Sequence, residues 1–348
     1  MRKIFIFVCF ILFLCCGCKN DSKNQDGVNS FPESYAYKTD KLDINLKINI
    51  VDEIEFYEGS AKAIVFDYDD ISDVFIPNSE QVILDSSDTG GVISDDNNIK
   101  FFSWSIVNGS FSYMNSDSNI YYASVNENRN DPLYNLDLYL EEKTFGFATQ
   151  EQALEDVKDT LEKCGVVIDE SFVVNTYYLD DEKLKEQEYH MDMDGNIDYA
   201  EYKDDWSDDN DAYLFFIHHK YCNLIDYRHG YDYPSPAEES SAPIIIYYTK
   251  DGIVQMNVKQ IFEYTRSDTK TNFLSFDRIM DSVITHFDNL LTNSKYNISN
   301  VKLCCDSEGD RNIVPVWAFW VTEKTEDGNE ISYELRVNAS TGGILSEY

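Results

Sequence analysis

The sequence predicts an α+β protein built from helix-plus-curved-antiparallel-sheet units, two of them, following a β-rich N-terminal region. Three observations predict it. Two amphipathic helical segments stand about 125 residues apart, each followed by several strand-like runs. Asp-Gly and Asn-Gly dipeptides separate those runs at hairpin spacing, as at Asn108-Gly109, Asp251-Gly252 and Asp327-Gly328. The stretch before the first helix alternates with a period of two, as in LDINLKINIV from Leu42.

The elements follow in order. In FFSWSIVNGSFSYM a two-residue turn at Asn108-Gly109 would set Ile106 opposite Phe111 and Trp104 opposite Tyr113. A further short strand is expected at IYYASV, so residues 42–145 form the β-rich region. Thr149 and Gln152 then make a capping box, Ala153, Leu154, Val157 and Leu161 line one helical face, and Gly165 stops the helix. Strands follow at FVVNTYYL, at the stretch around 185–202 and at AYLFFIHHKYCNLIDY, completing a unit over 146–235. YPSPAEESSAP reads as a linker. The second unit, 240–348, has its helix from near Ser275, with Ile279, Val283 and Phe287 at four-residue steps and Leu290 one turn on. Its strand VPVWAFWV is apolar on both faces, so Trp317 and Trp320 read as core in preference to a sugar-stacking platform.

The N-terminus carries a separate message. Arg2 and Lys3 precede an apolar run from Ile4 to Leu14, too short for a transmembrane helix, and the run ends in Leu14-Cys15-Cys16-Gly17-Cys18. A basic start, a short apolar stretch and a small residue before a cysteine resemble a bacterial lipoprotein signal peptide. The resemblance implies cleavage after residue 17, lipidation of Cys18 (typically with palmitate among the acyl groups) and attachment to the extracytoplasmic face of the cell membrane. Residues 1–17 are then the signal and 18–41 a polar tether. Cys15 stands where leucine is usual in that family.

Charge narrows the partners. The formal net charge is −36, and loss of Arg2 and Lys3 with the signal makes the mature chain more negative still. Such a surface repels nucleic acid and anionic headgroups and suits a basic partner. Of the cysteines beyond Cys18, Cys164 and Cys222 are open to pairing or to remaining buried thiols. Cys304 and Cys305 are adjacent in a strand and point to opposite faces, which makes no metal clamp. His218 and His219 are separated in the same way. Beyond residue 18 no phosphate loop, nucleophile elbow, HExxH or CxxC spacing occurs, and no catalytic residue is nominated.

One stretch, HMDMDGNIDYAE at 190–201, nearly spells a calcium loop. Asp192, Asp194, Asp198 and Glu201 hold ligand positions and Gly195 the sharp turn, but His190 stands where an aspartate belongs. The alternative is a β-hairpin whose loop Asp194-Gly195-Asn196 pairs Met193 with Ile197 and Met191 with Tyr199. Because the preceding KLKEQEY lacks the spacing of an entering helix, the hairpin is the preferred reading. The four carboxylates stay as calcium candidates, and no other cofactor is expected.

The C-terminal unit resembles the ending of PepSY-type domains and of YycH/YycI-like extracytoplasmic regulators. Pro315, Trp317, Phe319, Asn338, Ala339, Thr341 and Gly342 carry the match. The resemblance implies a tethered, non-catalytic module that binds or restrains another envelope protein. The alternatives are a calcium-binding surface or adhesion protein using the 190–201 loop, and a surface carbohydrate-active enzyme or peptidase.

Overall fold

The computed structural model describes residues 31–50, 54–128, 131, 133–191, 195–227, 242–307 and 312–347. Cys18, the signal and most of the tether lie outside them. The α+β class holds: two large sheets each carry one long helix, and a two-stranded ribbon, Phe56–Ala63 with Phe262–Thr271, is the third sheet.

The six-stranded sheet runs in the order Ser34–Lys38, Leu42–Lys47, Lys295–Asp306, Val314–Lys324, Glu330–Asn338, Ile344–Glu347. Its neighbours are antiparallel, except that residues 42–44 pair parallel with 296–298. The Phe276–Asn289 helix lies across one face. Its Phe276, Ile279, Met280, Val283 and Phe287 share a core with Trp317, Phe319, Val321, Leu335 and Val337. Each such side chain, fully buried, stabilises the fold by roughly 1.5–3 kcal/mol over leaving it in water. Val316, Ala318 and Trp320, on the other face of the same strand, pack with Tyr227 and Cys304. The strand is core on both sides.

The nine-stranded sheet runs Leu224–Ile225, Ala212–Tyr221, Ile244–Thr249, Gly252–Val258, Ser110–Asn115, Lys100–Ser105, Gly90–Ser94, Val82–Ser87, and Phe172–Leu179 also pairs with Ala212–Tyr221. The Gln150–Lys163 helix starts at the capping box of Thr149 and Gln152 and buries Ala153, Val157 and Leu161 against Tyr213, Phe215, Ile217 and Ile246. Two short helices correct the expectation: Asn119–Ser124 replaces the strand expected at IYYASV, and Asp181–Gln187, capped by Asp180 and burying only Leu184, makes KLKEQ helical before the acidic loop. With a turn at Leu136–Tyr139 they cover part of the opposite face, over Leu214, Phe216, Ile245 and Tyr247.

The expected boundaries are crossed by sheet hydrogen bonds. Leu42–Lys47 belongs to the C-terminal sheet, and Ile244–Val258, expected in the unit 240–348, sits inside the nine-stranded sheet between 212–221 and 110–115. The expected tether, 18–41, includes the strand Ser34–Lys38, whose Tyr35 and Tyr37 pack on the C-terminal core.

Two hairpin registers also differ from expectation. Trp104 pairs with Phe111 and Phe102 with Tyr113, because Ile106–Gly109 forms a four-residue loop instead of a two-residue turn. Gly109 takes φ +56° there, leaving Ile106 and Val107 at the exposed tip. The slip is by two residues, so the same side chains still face the core. At the acidic loop, Met191 bridges Ile197 in place of the expected Tyr199, and Met193 lies outside the described residues.

Candidate functional site

The loop following the Asp181–Gln187 helix is organised around a buried carboxylate. Glu188 is 7% exposed. Its Oε1 accepts from His190 Nε2 at 2.9 Å and from the Lys203 backbone N–H at 2.8 Å, and its Oε2 accepts from Trp206 Nε1 at 3.2 Å. A calcium loop is the reverse arrangement, a cation gathering carboxylates. Here the anion sits at the neck and gathers N–H donors. This gives His190 a place, since an imidazole N–H serves that anion where an aspartate would repel it.

The sequence-nominated ligands are not gathered by the described residues. Asp192 and Asp194 lie outside them. Asp198 turns back on its own loop, its Oδ1 accepting the Ala200 N–H at 2.9 Å, and Glu201 is exposed. Among the described residues no group of three or more His, Cys, Asp or Glu side chains is placed to hold a metal ion. What the loop presents outward is apolar: Met191, Ile197 and Tyr199 are 60%, 42% and 75% exposed. Tyr199 stacks on Tyr202, and Tyr202 meets His190, at ring-centroid distances of 5.6 and 5.4 Å.

A serine–histidine contact occurs elsewhere, where the strands from 172 and 212 run together. Ser171 Oγ lies 3.1 Å from His219 Nε2. The serine hydroxyl, however, donates to Asp169 Oδ1, which also accepts the Ser171 N–H at 2.8 Å. These two bonds hold Asp169 below the usual carboxylate range. A nucleophilic serine needs its proton directed at the imidazole, with the carboxylate behind the imidazole. Asp169 and Ser171 instead form a local turn, and the His219 ring is stacked on Phe172 at 4.2 Å with the planes parallel to within 3°.

Two further ionisable groups escaped sequence reasoning. On the outer face of the six-stranded sheet, Arg336 bonds both Asp306 and Glu334 with all three side chains buried. Glu334 and Arg336 are two apart on one strand and so share a face, a spacing visible in ELRVN. At the start of the strand 212–221, Asp211 accepts the Asp181 N–H at 2.9 Å. Burial pushes its carboxyl up to about 6, with Asp181, Asp208 and Asp180 adding to the rise. No sequence pattern distinguishes Asp211 among so many aspartates. Cys164, Cys222, Cys304 and Cys305 are free thiols. Cys164 packs in the core of the nine-stranded sheet and Cys222 against that of the six-stranded sheet, so they do not pair.

Among the described residues no helix is long and apolar enough to cross a membrane. No family model matches the chain, and no curated protein matches it. Among solved structures, the chain is similar to an uncharacterized protein from Eubacterium rectale, with a TM-score of 0.57 and 17% sequence identity. The match covers 90% of this chain and 94% of that one, so the fold is shared with that protein across nearly its full length.

Proposed function

We propose that the protein is an extracytoplasmic lipoprotein, anchored through Cys18, that acts without catalysis by binding or regulating another envelope protein. The observation that carries the binding reading is the neck at Glu188. Three N–H donors fix a loop whose outward side chains are apolar and exposed, and a pre-ordered surface loses little entropy on meeting a partner. The geometry at Ser171 and His219 favours binding over hydrolysis, because the serine proton is held by Asp169.

We read the helix-on-sheet units as PepSY-like. In the C-terminal unit the motif residues meet one another. The Ala339 N–H donates to the Pro315 carbonyl at 2.8 Å, and Asn338 Oδ1 accepts the N–H groups of Ser340 and Thr341 at 2.9 and 3.0 Å. Gly342, at φ +74°, lets the chain turn close against Leu274, just before the helix, and Ser282, midway along it. The motif then closes the helix onto the sheet. This is a structural duty, consistent with a family whose function lies in its surface.

The test is crosslinking of the tagged protein in cells, followed by mass spectrometry of what accompanies it, alongside Cys18→Ala. One dominant envelope partner, and release or incomplete processing of the Cys18→Ala chain, are the expected results. Normal membrane retention of a mature-sized Cys18→Ala protein would end the anchor assignment. Absence of any reproducible protein partner would end the binding one.

A further inference from the structure

We infer that Met191, Ile197, Tyr199 and Tyr202 form the docking ridge for a partner segment presenting an apolar or aromatic side chain flanked by lysine or arginine. The inference rests on the binding reading above and names the chemistry of the partner.

The ridge has an apolar crest and an acidic rim. Met191 and Ile197 are joined by a backbone bridge, Asp198 N–H donates to the His190 carbonyl at 3.0 Å, and Tyr199 stacks on Tyr202 at 27°. Exposed apolar side chains held together in this way lose little further rotamer freedom when covered. The same stretch of chain carries the exposed carboxylates Glu201, which stands between Tyr199 and Tyr202, and Asp204, Asp205, Asp208 and Asp209. Two lysines answer them, Lys203 to Asp205 at 3.2 Å and Lys250 to Asp209 at 2.8 Å, which leaves the rim negative. A crest of this kind matches an apolar contact, and its rim a ring of cations.

The same rim argues against a second copy of this chain as occupant, since two copies of the ridge would bring like charges together. The edge strand Val82–Ser87 also exposes apolar side chains, at Val82, Ile83 and Leu84. There, a register shift between Ile83 and Asp85 interrupts the ladder, a device by which sheet edges resist further pairing. The ridge sits instead on a neck already ordered by Glu188.

The full-length protein in detergent is titrated with a fluorescent peptide, Lys-Lys-Leu-Trp-Lys-Lys, and with Lys-Lys-Ser-Ser-Lys-Lys of equal charge. The first should bind about tenfold more tightly, and should weaken about tenfold between 50 and 300 mM salt. The triple variant Met191→Ser, Ile197→Ser, Tyr199→Ala should lose about tenfold for the first peptide and little for the second. All three side chains are exposed, so the variant keeps the fold, which circular dichroism checks. Equal binding of both peptides would reduce the interaction to general charge attraction and overturn the proposal, as would unchanged affinity of the triple variant. If a protein partner is still crosslinked in cells by the triple variant at full yield, the ridge fails while the binding reading stands.

Discussion

Arg336 donates from Nη1 to Asp306 Oδ2 across 2.7 Å, with the two side chains only 3% and 7% exposed. Glu334 takes the Nε proton of the same guanidinium, and the Tyr227 ring lies 5.3 Å from its central carbon. Removing one member of a buried charge set strands the others. Arg336→Ala is therefore expected to cost roughly 3–5 kcal/mol, read as a lowered urea midpoint. Replacing Arg336, Asp306 and Glu334 together by apolar residues of similar volume should recover most of that loss. A single variant as stable as the parent would mean that water reaches the site.

Asp211 gives a pH dependence whose sign is fixed by its environment. Its carboxyl is raised from 3.8 to about 6 in the fold, so the fold favours the neutral form. The stability this group contributes is complete below 3.8 and is lost as pH rises through about 6. Asp211→Asn keeps an acceptor for the Asp181 N–H and cannot ionise. It should raise stability at pH 7 by about 1–2 kcal/mol and flatten the thermal midpoint between pH 4 and 7. A lower midpoint at pH 7 would show that the charged form is the favoured one.

Gly342 and Gly252 both adopt left-handed backbone, at φ +74° and +85°, but only one has neighbours. A Cβ on Gly342 would meet Ser282 Oγ at 3.0 Å and Leu274 Cδ1 at 3.2 Å, whereas one on Gly252 meets nothing within 4 Å. Gly252→Ala should cost the conformational penalty alone, about 1–2 kcal/mol, and Gly342→Ala more than that. Equal losses in chemical denaturation would mean that Ser282 and Leu274 yield freely at Gly342.

Calcium should have little effect. A cation bound by the native state alone raises the thermal midpoint in proportion to its occupancy. With the neck of the 188–206 loop filled by Glu188 and its N–H donors, excess calcium and excess chelator are expected to give the same midpoint to within about one degree. A rise of several degrees would revive Asp192, Asp194, Asp198 and Glu201 as ligands.

What the sequence revealed was what short-range chemistry decides. The capping box at Thr149, the helix from Ser275 and the two-sided burial of VPVWAFWV depend on neighbours a few residues apart, and all were legible. Hairpin registers were less so, since Asn108-Gly109 is compatible with loops of two or four residues and both keep Trp104 and Phe111 on the core face. The interleaving of the sheets was not legible at all. Nothing in LDINLK says that its partner is the strand beginning at Lys295, because pairing is selected by the whole assembled face. At the loop, the pattern of carboxylates drew attention to Asp192 and its neighbours. Glu188 lies two residues before that pattern, and its role shows only once Lys203 and Trp206 are folded back onto it.

The parallel pairing of Leu42–Ile44 with Tyr296–Ile298 also bears on how the chain is made. Synthesis delivers the first partner some 250 residues ahead of the second, so the six-stranded sheet has no route to completion while the ribosome is still at work. Contacts so distant in sequence also make for slow folding. A chain that cannot close this sheet early must hold its first strands unpaired until the last ones are made. The nine-stranded sheet, whose last strand ends at Val258, has all its strands made before the six-stranded sheet has all of its own, which run on to Glu347.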